Sequence, residues 1–189
     1  MYTLISCGVF RNEVEAVIQD LDFPVEPRYL DPGLHVDFDE LSSELKQELE
    51  RCKNQKIIVA YGACHPRMEE LLSPYGAVLL DCQSCVDAMI TRQEVERRAE
   101  NGLFFYLSPG WLECWRDMFN RLNWTQEGAR LELGSFKGSI YMDTLGDASK
   151  REDALMEFFD YTLLPYEILP VNLDHFRSLI IKAKNRLEE

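Results

Sequence analysis

Residues 56–61, Lys-Ile-Ile-Val-Ala-Tyr, carry a continuous apolar run, Ile-Ile-Val-Ala, cut off after Tyr61 by Gly62. A run this short and continuous suits a strand covered on both faces, the position strands hold in a parallel sheet. The fold is constrained further because such runs alternate with helical segments along the chain. Tyr2 to Ser6, Val25 to Leu30, Ala77 to Leu80, Leu103 to Leu107, Ser139 to Asp143 and Pro165 to Leu169 are further strand candidates. Between them, Asn12 to Leu21 carries Val14, Val17, Ile18 and Leu21 at helical spacing. Asp39 to Lys53 repeats Leu41, Leu45 and Leu49, with Asp39 as the expected cap. Pro66 suits the first turn of a helix after the third strand. Ser84 to Asn101, Trp111 to Leu122, Lys150 to Leu163 and Leu173 to Leu187 are further helices, and 126–137 shows no readable period. Strand–helix alternation implies parallel strands joined by crossover helices. The expected fold is therefore α/β: an open, doubly wound, mostly parallel sheet of five to seven strands with helices on both faces. This is a Rossmann-like, three-layer arrangement in a single domain over residues 1–189. Ligands in such sheets bind outside the carboxyl ends of the strands, where strand order reverses. The strand order itself is not readable.

Charge narrows the partners. The chain of 189 residues has a formal net charge of -13, and its densest basic stretch, Arg92 to Arg98, is interleaved with Glu94 and Glu96. Such a chain repels phosphate backbones and anionic lipid surfaces, so no nucleic acid and no membrane is expected as partner. That leaves a small molecule or another protein. Apolar runs such as Ile57 to Tyr61 fall far below the roughly 20 residues of a spanning helix. The N-terminus reads as a strand and not as a signal peptide, so a cytoplasmic setting is expected. In a reducing compartment, six cysteines are core residues, metal ligands or working thiols. No G-x-G-x-x-G, P-loop or G-x-S-x-G pattern is present, which argues against the common dinucleotide, nucleotide and serine-hydrolase chemistries.

The reactive side chains gather where the strands end. Cys7 follows the first strand, Asp31 and His35 the second, Cys64 and His65 the third, and Cys82 and Cys85 the fourth. Ser108 and Trp111 follow the fifth, and Asp143 ends the sixth. Cys52 and Cys114 fall inside helices and read as structural. A cysteine at a helix N-terminus, the setting expected for Cys64 and Cys85, is stabilised as the thiolate, which is both nucleophile and metal ligand. Cys82 and Cys85 also form a lone C-x-x-C pair. Two readings stay open. In one, the junction cysteines, Cys7, Cys64, Cys82 and Cys85, with His35 as candidate further ligand, hold zinc or an iron–sulfur cluster, with Asp31 and Asp143 as outer groups bonded to the ligands. In the other, no metal is bound, Cys64 or Cys85 is a nucleophile for redox chemistry or methyl transfer, and His65 is its base. Trp111 and Trp115, at helical spacing, read as core. Trp124, in a polar stretch, is the better candidate for an aromatic anchor to a partner.

The same junctions carry a resemblance. Cys7-Gly8-Val9-Phe10, Arg28-Tyr29-Leu30-Asp31 with Gly33-Leu34-His35, Tyr61-Gly62-Ala63-Cys64-His65-Pro66, Cys85, and Tyr106-Leu107-Ser108-Pro109-Gly110-Trp111-Leu112 resemble, in that order, the domain-of-unknown-function family numbered 1638. The resemblance picks out Cys7, Cys64 and Cys85, with His35 beside them. It sets Cys82 where the family pattern has glycine. It implies no reaction. It does imply the company of corrinoid-dependent methyl-transfer systems in anaerobic bacteria and methanogens, and so a role for the chain as an accessory or metal-delivery component of a corrinoid methyltransferase system.

Overall fold

The computed structural model describes residues 1–189. β1 (Tyr2–Cys7) is the strand on which the first half of the chain is assembled. All six of its residues are buried. It pairs in parallel with β2 (Val25–Leu30) on one side and with β3 (Lys56–Ala60) on the other. β4 (Val78–Leu79) adds to β3, giving the order β2-β1-β3-β4. The sequence explains the placements. β2 contains Pro27, which has no N–H for a ladder and is at home on an edge. The Ile57-Ile58-Val59-Ala60 run of β3 is fully buried in the middle of the sheet.

A second parallel sheet, of order β5-β6-β7, holds β5 (Phe104–Leu107), β6 (Gly138–Asp143) and β7 (Tyr166–Pro170). The fold is thus the expected three-layer α/β class. Its seven strands form two sheets, and β4, the edge strand of the first, is only two residues long.

The helices are α1 (Arg11–Ile18), α2 (Phe38–Arg51), α3 (Met68–Leu72), α4 (Cys85–Ile90), α5 (Arg92–Ala99), α6 (Pro109–Arg121), α7 (Gln126–Glu132), α8 (Glu152–Thr162) and α9 (Asp174–Arg186). Three local expectations are corrected, and the stretch without a readable period is resolved. α2 is capped by Asp37, not Asp39: the Asp37 carboxylate accepts from the N–H groups of Asp39 and Glu40 at 3.0 Å each. Residues 84–101 form two helices, because Thr91 leaves the helical region (φ 70°, ψ 148°) and caps α5 with its hydroxyl. Residues 126–132 are helical, with Thr125 as the cap. α3 begins at Met68, so Pro66 precedes the helix. No helix is long and apolar enough to cross a membrane.

α9 returns from the second sheet and packs on β3 and β4 of the first. There Phe176 stacks on Phe10 at 5.3 Å, and His175 Nε2 lies 3.0 Å from the Asp87 carbonyl. One continuous apolar core includes Leu4, Ile5 and Val59 of the first sheet and Tyr141 and Phe158 beside the second. An aromatic cluster fills the second half: Trp115 meets Phe158 edge-on at 5.4 Å, and Phe119 lies 5.1 Å from Trp124. Trp124 also holds Tyr161 through its carbonyl. It packs against the core on one side and stays half-buried.

The segments leaving the carboxyl ends of the two sheets also meet at a buried carboxyl group. Glu13, in the first turn of α1, is fully buried and accepts from Thr144 Oγ1, just after β6, at 2.7 Å. Its Oε2 has no partner. Burial pushes its pKa up to about 7, against the opposing pull of the Thr144 hydrogen bond. A carboxyl raised in the folded state contributes stability that is complete below its unfolded value and is lost as pH rises through about 7. The loss is on the order of 3 kcal/mol. Glu13→Gln, which mimics the protonated acid, is expected to match wild type in urea at pH 4 to 5. At pH 8 it is expected to unfold at a higher midpoint than wild type. Equal midpoints at pH 8 would show that the buried carboxylate costs nothing.

Candidate functional site

The order β2-β1-β3-β4 reverses at β1: the chain winds outward to β2, then crosses back to β3. Right-handed crossovers in opposite directions lie on opposite faces, so a crevice opens between the carboxyl ends of β1 and β3. Cys7 ends β1, and Tyr61 to Cys64 leave β3. Cys7, His35, Cys64 and Cys85 all line one cavity of about 80 Å³ in this crevice, together with Tyr61 and Trp111 and the apolar Val9 and Phe10. The four residues expected as metal ligands are thereby brought to a single place from four separate loops.

Two glycines let those loops close up. A Cβ on Gly62 would sit 2.6 Å from both the Gln83 carbonyl oxygen and Ser84 Cα. That contact, with the Ala63 N–H donating to the Gln83 carbonyl at 2.8 Å, draws the loop of Cys64 onto the turn before Cys85. A Cβ on Gly110 would lie 2.3 Å from the Val9 carbonyl oxygen. This contact seats the start of α6, and with it Trp111, against the segment after Cys7. Ser108 caps that helix through the Trp111 N–H at 3.2 Å. Cys85 is placed by a reciprocal cap in which Ser84 and Asp87 bond each other's backbone N–H groups.

His35 is held in a defined tautomer. It sits on a short 3₁₀ turn, Pro32–Val36, capped by Asp31. Its Nδ1 lies 2.7 Å from the Pro32 carbonyl oxygen, which can only accept, so Nδ1 carries the proton and Nε2 keeps its lone pair. The ring meets Trp111 edge-on at 5.5 Å. Trp111 is therefore a wall of the cavity and not simply the core residue its spacing suggested.

The thiols are protonated in this setting. Burial pushes Cys7 and Cys85 up to about 12 and raises Cys64 as well, and neighbouring thiols add to the shift at Cys7 and Cys85. The expectation of thiolates stabilised at helix N-termini is corrected on both counts. Cys64 lies four residues before α3, and at Cys85 desolvation outweighs whatever a six-residue helix supplies. No group of three or more His, Cys, Asp or Glu side chains is arranged to hold a metal ion.

Other candidates lie elsewhere. His65 does not face the thiols. Its Nδ1 accepts from the Arg67 N–H at 3.0 Å, so the proton sits on Nε2, 2.8 Å from Ser42 Oγ. Both nitrogens are occupied, which removes it as a base for Cys64. Asp31 caps the 3₁₀ turn and pairs with Arg121 at 3.0 Å, and Asp143 accepts from the Asp147 N–H at 2.9 Å. Neither carboxylate lines the cavity. Cys82 donates to the Tyr61 carbonyl at 3.5 Å and does not line the cavity, although burial first and then Asp87, Cys64 and Cys85 push its pKa up to about 12. Sequence reasoning passed over Tyr61. Its ring is buried, and burial, with the Cys7 and Cys64 thiols close by, pushes the pKa of its hydroxyl up. The available signal was a phenol ending an otherwise wholly apolar strand run, just before a glycine.

A family model described as "Protein of unknown function (DUF1638)" matches residues 29–180. The matched span includes His35, Tyr61, Cys64, Cys85 and Trp111 and leaves Cys7 outside. No curated protein and no solved structure matches the chain.

Gly62 carries the convergence of Cys64 and Cys85, so Gly62→Ala tests it. The added methyl meets backbone on the facing turn and cannot be absorbed by a side-chain rotation. The variant is expected to lose about 1–3 kcal/mol of stability. An oxidant that links Cys64 and Cys85 in wild type should link them less readily in the variant, as read by mass spectrometry of peptides. Unchanged stability and cross-linking would show that the close approach is not needed.

Proposed function

As the chain belongs to the DUF1638 family, whose description assigns no reaction, we propose its function from the cavity: a single zinc ion held by the thiolates of Cys7, Cys64 and Cys85, with His35 Nε2 as the fourth donor at rest. The observation that carries this reading is the set of donors. Three sulfurs and one imidazole nitrogen with a free lone pair line one small cavity at the point where strand order reverses. Cys₃His is a common tetrahedral zinc set. A zinc-bound histidine usually donates its other ring N–H to a carbonyl or carboxylate, the bond that His35 makes with Pro32. Binding requires the thiols to swing inward. A change of one cysteine rotamer moves a sulfur by about 3 Å.

The metal-free alternative, a nucleophilic Cys64 or Cys85, is less well supported. It needs a thiolate at neutral pH, and the cavity opposes one. A cation reverses the balance, since a coordinating thiol is deprotonated outright. A zinc site with an exchangeable ligand would serve a methyl-transfer system of the corrinoid-dependent kind, as catalyst or as accessory component. That part of the reading rests on the family resemblance alone.

Protein purified without chelator is expected to contain about one zinc per chain, and Cys64→Ser to contain far less. The three thiols are protonated in the free protein, so zinc binding at pH 7 should release up to three protons. The apparent affinity should therefore rise with pH, steeply below the thiol range. Calorimetry in buffers of different ionisation enthalpy reads the proton count. A folded protein without stoichiometric metal, or a Cys64→Ser variant with undiminished metal, would overturn the zinc reading.

A further inference from the structure

The thiol cavity is walled almost entirely by loops of the first sheet. Trp111 is its one wall from beyond Cys85, and it stands there because α6 leans on the segment that follows β1. Three contacts between residues 9–13 and the second half of the chain form a seam. A Cβ on Gly110 would lie 2.3 Å from the Val9 carbonyl oxygen. Asn12 Nδ2 donates to Glu113 Oε1 at 3.2 Å. Glu13 accepts from Thr144 Oγ1 at 2.7 Å. Val9 and Phe10, at one end of this seam, line the cavity. Glu13 closes the other end, about one helical turn (roughly 5 Å) further along.

Glu13 differs from its companions in the seam. The Gly110 contact is a close approach of uncharged backbone, and the Asn12 hydrogen bond is exposed. Glu13 is a carboxyl that is 0 % exposed, held by a neutral hydroxyl and, more weakly, by its own backbone N–H. The charged groups around it give little relief. From α6, Glu113 opposes its ionisation. From the segment after β6, Arg151 favours it, but Arg151 already pairs with Glu113 at 2.8 Å and Asp147 at 2.9 Å. On α1 itself, Arg11 and Glu15 pair with each other at 3.9 Å and face solvent. β2, which also packs on α1, sets the Tyr29 ring under Arg11. Arg177 of α9 pairs with Asp20 beyond the far end of α1. Each of these three cations is therefore engaged elsewhere. Burial wins, and the carboxyl stays neutral until about pH 7.

We propose that Glu13 is a proton latch on the thiol cavity: while its carboxyl is neutral the seam stays shut behind Trp111, and once it ionises the seam parts and Cys7, Cys64 and Cys85 become accessible. The physical cause is solvation. A carboxylate gains water when the seam parts, and a neutral acid gains far less. The sign follows from linkage. Glu13 is raised in the closed form and returns to the ordinary range, about 4.3, in the open one. The closed form therefore holds its full advantage below that range, loses it as pH rises toward about 7, and has none left above. The latch acts on the cavity and not on its occupant, so it does not rest on the zinc reading.

The test labels the full chain with methyl methanethiosulfonate in the presence of a chelator, and mass spectrometry of peptides reads each cysteine. Dividing each rate by the rate of the same cysteine in urea removes the thiol's own pH dependence. For Cys64 and Cys85 the quotient is expected to rise roughly tenfold or more between pH 5 and pH 7 and then to level off. In Glu13→Gln, which cannot ionise, it is expected to stay flat. Cys52 separates a latch from a change in global stability. It is 1 % exposed at the end of α2, beside Thr3 at the start of β1 and so at the opposite edge of the first sheet. Its quotient is expected to change little over the same range. A Cys64 and Cys85 quotient that is flat in wild type, or that rises equally in Glu13→Gln, overturns the latch. So does a Cys52 quotient that rises in step with theirs, which would make Glu13 a stability residue only. If Glu13→Gln does not fold, the comparison of Cys64 and Cys85 with Cys52 in wild type decides alone.

Discussion

The pairing of β1 on both of its edges is the constraint from which the rest of the molecule follows. Because β2 lies on one side and β3 on the other, consecutive crossovers leave β1 in opposite directions, and the sheet is covered on both faces. The same pairing forces the loops after β1 and β3 apart above the sheet and leaves room between their first residues. Cys7 and Tyr61 occupy that room by position alone. Cys64, Cys85, His35 and Trp111 reach it from neighbouring loops, and close backbone approaches at Gly62 and Gly110 fix how near they come.

The cavity assembled in this way is a hostile place for charge. Its walls include a buried ring, an indole and two further apolar side chains, and its thiols are held in the neutral form by burial. Reactive groups gathered in low dielectric without compensation are costly, and native proteins keep such arrangements where a cation or a ligand supplies the missing partner. On the proposed zinc reading, the neutral thiols and the imidazole nitrogen of His35 have a common explanation as donors to one ion. Glu13 shows the cost of the alternative: burial outweighs the Thr144 hydrogen bond and the weaker pull of Arg151, and the carboxyl stays protonated until near neutrality.

The class of fold was legible because period-2 and period-3.6 patterns alternate cleanly, and because Pro27 and the Ile57–Ala60 run mark an edge and a centre. The division into two sheets was not legible, since pairing between β4 and β5 depends on a tertiary choice that neither segment encodes. The break at Thr91 escaped for a similar reason: a β-branched residue at positive φ contradicts its own preference. At the site, Cys7, His35, Cys64 and Cys85 could be picked out because strand ends concentrate function. The side chains that misled were those whose local sequence fits two roles. Cys82 has the spacing of a ligand but turns to the Tyr61 carbonyl. His65 adjoins Cys64 but spends both nitrogens on Arg67 and Ser42. Adjacent residues on an extended segment point in opposite directions, so nearness in sequence is poor evidence of shared chemistry.

The return of α9 to β3 and β4 has a consequence for how the chain acquires its structure during synthesis. The first sheet is complete in sequence by residue 79, yet part of its apolar surface is covered by Phe176, Leu179 and Ile180, which leave the ribosome about a hundred residues later. At about 5–20 residues per second this exposes the nascent half for several seconds or more. The crevice that gathers the thiols is therefore laid down before the helix that secures its sheet, and the interval is one in which a chaperone would find an apolar surface to hold.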